Sequence, residues 1–461
     1  MTKRNPGQPT ANRTQGQGQA SSGLDRIREA ARRDRHLRFT SLLHHMTVDL
    51  LRESYYALKR NAAPGVDGVT WSHYGEDLEN RLPDLHDRVH SGRYRAQPSK
   101  RTWIPKPDGR QRPLGIASLE DKIVQHALVR ILNQVYEVDF AGFSYGFRPG
   151  RGPHQALDAL YVGIMQRKVN WVLDADFRGF FDTIDHGWLM KFMEHRIADP
   201  RVLRLIRKWL RAGVSEDGEW SKGTVGAPQG AVFSPLAANI YLHYVLDLWV
   251  QAWRKKHARG EVIIVRYADD FVMGFQYRDD AERLMCAMQT RFAGFGLELN
   301  QEKTRLIEFG RFANTNRQER GAGKPETFDF LGFTHICGKR RKDGGFTVRR
   351  KTIAKRLRAK AKEVREKLIR RRHEPTPKQG KWLRSVVRGF FNYHAVPGNI
   401  KALSAFRTLV NRAWLSALRR RSQKGKNLTW ARMKRLVHTW IPPARILHPY
   451  PNERLRVSYS R

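Results

Sequence analysis

Acid is what this chain is short of. It carries 86 Lys and Arg against 44 Asp and Glu, a net charge of +42 over 461 residues. Such an excess makes a strong positive field, whose usual partner is a polyanion. Cysteine is nearly missing. Cys286 and Cys337 stand far apart, which excludes a disulfide framework and a Cys-x-x-Cys zinc pair. No apolar run reaches the ~20 residues of a membrane span. The basic residues are spread along the whole chain, which suits a long nucleic acid better than a lipid patch. The first 40 residues are polar and lack the apolar core of a signal peptide. The expected compartment is therefore reducing and intracellular. No internal repeat is visible.

The length allows about three domains. Residues 1–23, rich in Gly, Gln, Thr and Pro, read as a disordered basic tail. Residues 24–100 are helical in pattern, broken by "NAAPGVDGVTW" at 61–71. Residues 101–348 mix short β-type runs with helical stretches, which predicts an α/β (α+β) unit. Strands are expected at 170–176, 261–267, 270–275 and within 298–309, and a hairpin over 328–350 turning at Asp343-Gly344-Gly345. Basic helices follow. The stretch 349–372 holds 13 Lys/Arg and two Glu, with Ile353, Leu357, Ala361, Val364 and Leu368 at helical spacing. Further helices are expected at 378–394, 399–421 and 428–438, then a proline-rich extended strap.

The chemistry concentrates in two stretches. "VRYADDFVMGF" (265–275) places Asp269 and Asp270 between apolar strand-like runs, and "WVLDADFRGFFDTIDH" (171–186) repeats the pattern. The bland reading of such acids is that they are solvated or cap helices. Two apolar-then-acidic strands together read as a cation site, because Mg²⁺ takes oxygen ligands from one or two carboxylates plus substrate phosphates. Phosphoryl transfer by two metals needs such a cluster, with the ions ~3.5–4 Å apart. Asp174 and Asp176 share a strand face, and Asp182 and Asp185 lie beyond the strand end.

"APGVDGVTW" (63–71), "IPKPDGRQRPLGIASLEDKIVQHAL" (104–128), "FAGFSYGFRPGRGPHQAL" (140–157), "DADFRGFFDTID" (174–185), "GAPQGAVFSPLAANIYL" (226–242), "YADD" (267–270), "GLELNQEKT" (296–304), "FDFLGFTH" (328–335) and "VVRGFFNYH" (386–394) stand in one order. From about residue 40 onward this set resembles the reverse transcriptases encoded by bacterial group II introns. The resemblance implies a right-hand polymerase. Its N-terminal extension and the start of the fingers would fill 24–100, fingers and palm 101–348, an α-helical thumb or maturase domain 349–421, and a short DNA-binding-like region 422–461. It implies catalytic metal aspartates at Asp176, Asp269 and Asp270, with Asp174 secondary. Phe181, five residues after Asp176, takes the place of the aromatic gate that leaves no room for a 2′-OH. Gln229 and Gly230, opening a helix through about 253, would meet template or nucleotide. Lys106 and Arg112, either side of the Pro-Asp-Gly turn 107–109, would hold the triphosphate in the fingers, and Lys303 would lie near the leaving pyrophosphate. Phe330, Leu331 and Gly332 match the primer grip. Arg384, Arg388 and Tyr393 fall on the RNA-binding thumb surface.

The implied cofactors are two Mg²⁺ ions, with Mn²⁺ as a substitute. The implied partners are group II intron RNA, a DNA target and primer, and dNTPs, in the bacterial cytoplasm, within a ribonucleoprotein or at the nucleoid. A dimer and a monomer within that particle both stay open. After residue 421 only His438 and His448 and no cysteine occur, so no HNH endonuclease is expected. Two other readings stand beside the polymerase-maturase: an RNA-binding splicing factor with a vestigial polymerase, and a related reverse transcriptase used in phage defence or repair.

Overall fold

The computed structural model describes residues 13–105, 111–216, 219–221, 226, 230–340 and 342–454. Among them three sheets form. Strands β1 (Ser99–Pro105) and β2 (Gln111–Ile116) pair antiparallel. Strand β3 (Trp171–Ala175) is central, while β4 (Val214–Glu216) and β5 (Glu219–Ser221) extend the first sheet through a parallel β1–β4 pairing. Strands β6 (Val262–Tyr267), β7 (Asp270–Phe275) and β8 (Arg305–Glu308) join β3 in the order β6-β7-β3-β8, every pair antiparallel. Strands β9 (Phe328–Phe330), β10 (Phe333–Lys339) and β11 (Phe346–Thr352) make the third sheet.

The central sheet is buried on both faces. Successive side chains of a strand point to opposite sides. Leu173, Ala175, Ile264, Phe271 and Met273 enter one core with helices Leu119–Asp139, Ser234–Leu242 and Arg278–Ala293. Val172, Ile263, Val265, Val272 and Ile307 enter a second, with helix Pro153–Gln166 and the aromatic residues Phe328, Phe330 and Phe333 of the third sheet. Two apolar faces explain the unbroken apolar runs of these strands. A third core belongs to the helices Ala354–Arg370, Thr376–His394, Ile400–Arg419 and Trp430–Trp440, where Leu357, Val364 and Leu368 are buried as their spacing predicts. The chain thus combines a mixed α/β body with a helical C-terminal module. No helix among the described residues is long and apolar enough to cross a membrane.

Several expected boundaries shift. The tail read as disordered is helical from Arg13, in a helix running to Arg33. Leu24, Ile27 and Ala31 are buried, and an anchored helix extends at the cost of one residue per hydrogen bond. Residues 1–12 lie outside the described set. The helical pattern of 24–60 breaks over 34–47, where tertiary bonds take over. Asp199 Oδ2 accepts from the amides of Leu42 and Leu43 at 2.8 and 3.0 Å, and the Phe39 amide donates to Arg196 O at 2.8 Å. Basic residues 349–352 belong to β11, not to a helix, since they pair with 333–336 of β10. The helix expected to open at Gln229-Gly230 starts at Ser234. Gly230 has φ 108°, which no helix accommodates.

The proline-rich strap turns back onto the body. The amides of Leu447 and His448 donate to Ala395 O. Past it, Arg454 Nε reaches Asp158 Oδ2 at 2.5 Å, and Arg350 Nη1 holds the other oxygen of that carboxylate at 3.0 Å.

Within the helical module, buried Trp414 donates from Nε1 to Gln379 Oε1 at 2.9 Å, and Gln379 Nε2 in turn bonds the carbonyls of Arg371, Arg372 and Glu374. Trp414→Ala is expected to cost about 3–5 kcal/mol. Urea unfolding of this variant should show that loss in the transition of the C-terminal module. A loss below about 1 kcal/mol would contradict the packing described.

Candidate active site

The hairpin β6–β7 pairs Tyr267 with Asp270, so Ala268 and Asp269 form a two-residue turn. Ala268 has φ 58°, the left-handed region that suits such hairpin turns but costs a residue with a Cβ about 1–2 kcal/mol. Ala175 pairs with Phe271. One step further along that register brings Asp176 level with Asp270. The loop after β3 is pinned by Asn300, whose amide donates to Asp176 O at 2.8 Å, and by the Arg178 amide on Glu298 O at 2.9 Å. The register thus sets Asp176 beside Asp270, next to Asp269 in the turn, at the end of a sheet that is apolar on both faces.

Their charges are felt. Burial raises the Asp269 carboxyl above the ordinary range, and the charge of Asp176 adds to this, while Arg112 and Arg266 oppose it. Asp270 reaches solvent at the lip yet is closely surrounded. That desolvation, then Asp269 and Asp176, push it up to about 7. Asp174 is pushed to about 6 by burial, against the pull of Arg305, whose Nη2 lies 3.9 Å from its Oδ2. Lys303 forms an ion pair with Asp176 Oδ2. Beside it opens a cleft of about 470 Å³ lined by Phe177, Arg178, Gly179, Asn300 and Lys303.

This donor set fits a hard divalent cation. Asp176, Asp269 and Asp270 offer carboxylate oxygens, which repel one another and which a hard divalent cation could accept as ligands. Among the described residues no three acidic, imidazole or thiol groups converge into a ready-made cage.

The other sequence-predicted residues distribute as follows. Phe181 lies in the short helix Phe180–Thr183, 8% exposed, against 4% for Phe177 and 2% for Phe180. Phe177 and Phe180 pack on each other, and Phe177 also on Phe271 and Phe292, as core rings do. Arg112 lies on β2 and its charge reaches Asp269. Lys106 and the turn 107–109, and Gln229, fall outside the described residues. Gly230 allows a close approach within the protein. A Cβ there would meet Gly115 O and Leu114 Cδ1, each at 2.8 Å, so the glycine lets its loop press on β2.

Phe330 is buried, and Leu331 and Gly332 form the β9–β10 turn with φ 45° and 85°. Tyr393 is turned to this tip. Its hydroxyl donates to Leu331 O at 2.7 Å and its ring stacks on Phe333. Tyr393 thus joins the helical module to the turn, and its hydroxyl is committed within the protein. Arg384 caps helix Trp430–Trp440 by donating to the carbonyls of Thr439 and Trp440. Arg388 is exposed on helix Thr376–His394.

Sequence reasoning missed the supports beneath the turn: Arg266, Asp247, Asn239 and Gly146. The one available signal was an arginine inside an apolar strand, a residue that must find a partner when buried.

Comparison with known proteins gives consistent matches. Residues 104–335 fit the family model "Reverse transcriptase (RNA-dependent DNA polymerase)". Protein YkfC of Escherichia coli is 35% identical, over 53% of this chain and 72% of its own length. The group II intron-encoded protein LtrA of Lactococcus lactis is 33% identical, over 51% of this chain and 39% of its own. The putative COX1/OXI3 intron 1 protein of Saccharomyces cerevisiae is 27% identical, over 56% of this chain and 36% of its own. The chain thus spans well under half of the two intron proteins.

The raised carboxyls fix a pH dependence. The folded protein holds the Asp270 proton more tightly than the unfolded chain, so without metal stability falls as pH rises through about 7. A divalent cation bound there would take the place of that proton. The rise in thermal midpoint on adding Mg²⁺ is expected to be larger at pH 8 than at pH 6, and the difference to shrink in Asp270→Asn. Equal shifts at the two pH values in the unaltered protein would contradict the assignment.

Proposed function

The chain belongs to the reverse transcriptase (RNA-dependent DNA polymerase) family, and from that premise we propose that it extends a DNA primer along group II intron RNA and assists the splicing of that RNA. The observation that carries this reading is the meeting of Asp176 with Asp269 and Asp270 at the ends of β3 and β7, inside the segment that fits the family model. An RNA-binding protein with a vestigial polymerase has no need to hold three repelling carboxylates together. The basic module supports the RNA partner. From 375 to 452 the chain carries 16 Lys/Arg and no acid, a field suited to RNA phosphates and to unpaired bases stacked on aromatic residues.

The reaction joins the primer O3′ to the α-phosphorus of a dNTP and breaks the bond from that phosphorus to the bridging oxygen. Pyrophosphate leaves, and the hydroxyl proton passes to solvent. Divalent ions, proposed as two Mg²⁺, supply the charge that favours an ionised O3′ and offsets the leaving group. Asp176, Asp269 and Asp270 would hold them. Arg112, from the β1–β2 hairpin, brings positive charge to the same site and would meet the triphosphate. Lys303 pairs with Asp176 until substrate arrives and can then turn to the pyrophosphate. Phe181 would close the floor under the sugar, where a 2′-OH would strike the ring. Leu331 and Gly332 would hold the primer end, steadied by Tyr393. The palm assignment to the central sheet, and the fingers and thumb assignments to β1–β2 and the C-terminal helices, follow from the same reading.

Two measurements test it. Primer extension on an RNA template should proceed with wild-type protein, dNTPs and Mg²⁺, and fall to background in Asp269→Asn while RNA affinity is kept. Loss of RNA binding in the folded variant would contradict the separation of the two roles. Phe181→Val should leave dNTP incorporation in place and reduce discrimination against ribonucleotides by up to about a hundredfold. Unchanged discrimination would remove Phe181 from the sugar site.

A further inference from the structure

The turn that carries Asp269 rests on buried charge. Arg266 and Asp247 are both 0% exposed. Arg266 Nε and Nη2 meet the two oxygens of Asp247 at 2.8 and 2.5 Å, a bidentate fork. The remaining nitrogen, Nη1, donates to Asn239 Oδ1 at 3.0 Å and to Ala268 O at 2.9 Å. Ala268 O belongs to the peptide whose nitrogen is that of Asp269. The guanidinium therefore fixes the peptide plane that aims the metal-binding carboxylate, at the residue whose φ of 58° is least tolerant of a side chain.

The other sides are closed as well. Asn239 Nδ2 donates to Gly146 O at 2.8 Å. A Cβ on Gly146 would stand 2.2 Å from Ala268 N, so that backbone lies directly under the turn. The amide of Arg266 donates to Phe143 O and its carbonyl accepts from the Tyr145 amide, each at 2.9 Å. Asp247 ends a π turn, His243–Asp247, set between helices Ser234–Leu242 and Leu248–Lys256. Such a turn shifts later side chains around the helix axis, and it recurs at functional sites. His243 Nδ1 stands 4.0 Å from Asp247 Oδ2, and burial lowers its pKa to about 4, so the imidazole stays neutral and leaves the carboxylate to Arg266.

We propose that Arg266, held by Asp247 and Asn239, is a positioning residue that keeps the left-handed Ala268 turn and thereby aims the Asp269 carboxylate at the catalytic cations. This rests on the polymerase reading. The alternative is a pair that serves stability alone. The two differ in one respect. A buried ion pair replaced by apolar residues of similar volume often leaves stability unchanged or higher, yet such a replacement cannot donate to Ala268 O.

The test is the double variant Arg266→Met/Asp247→Leu in the full-length protein, with Arg266→Lys as a second variant that keeps the charge and loses the fork. Thermal unfolding with and without Mg²⁺, primer–template affinity and the rate of primer extension are measured side by side. The proposal expects a folded double variant with wild-type primer–template affinity, a reduced Mg²⁺-induced rise in thermal midpoint, and extension slowed on the order of a hundredfold, the scale of a displaced catalytic group. Arg266→Lys should fall between the two. Either variant folded, with wild-type extension rate and wild-type Mg²⁺ response, overturns the proposal. A wild-type protein that does not extend primers at all would instead overturn the polymerase reading, and the Mg²⁺ response of the variants would still decide the positioning role.

Discussion

The mutual repulsion of Asp176, Asp269 and Asp270 is the constraint to which the surrounding fold answers. Left to themselves, three carboxylates at the end of a sheet would splay into water. Here each is tied through its backbone to something that cannot move easily. Asp176 follows the central strand and is clamped by Asn300. Asp270 opens β7, and Asp269 sits in a turn with a single left-handed geometry. The two apolar cores on either face of the sheet make those backbones stiff, because interiors packed at crystal-like density do not yield by fractions of an ångström. Burial and like charge then raise the Asp269 and Asp270 carboxyls. The site stores an electrostatic cost that a divalent cation bound there would relieve.

Cations of the protein share in this balance at different distances. Lys303 touches Asp176, Arg112 acts on Asp269 from the hairpin above, and Arg266 works from below through the backbone. Of the three, Arg266 is buried, and it is held by the two oxygens of Asp247. Lys303 and Arg112 are exposed side chains. Arg266 is part of the frame. The helical module reaches the same region by another route, through Tyr393 on the Leu331 carbonyl and through the Asp158–Arg350–Arg454 cluster that ties in the C-terminal strap. Whatever the basic helices bind can thus bear mechanically on the turn at 331–332.

The central sheet was legible in the sequence because both of its faces are apolar, so its strands appear as unbroken runs ending in acid. The acids at the strand ends were legible for the same reason, as charge where none should be. The helices after 353 showed themselves through buried Leu357, Val364 and Leu368 at regular spacing. What could not be read depends on partners distant in the chain. The helix break at 34–47 is made by Asp199, and the end of β11 is set by its register with β10. The close approach of Gly230 to Gly115 likewise joins residues distant in the chain. Arg266 was hidden by the run that contains it. Its partners, Asp247 and Asn239, lie on a preceding helical segment with no marking in the sequence beyond two polar residues among apolar ones.

The central claim is that the carboxylates are held in place as an incomplete cation site, which substrate completes. Counting bound Mn²⁺ by electron paramagnetic resonance tests it most directly, first on the free protein and then with primer, RNA template and a non-reacting dNTP analogue. The account predicts weak binding to the free protein and two tightly bound ions in the complex. Two tight ions in the free protein, or none gained in the complex, would contradict it.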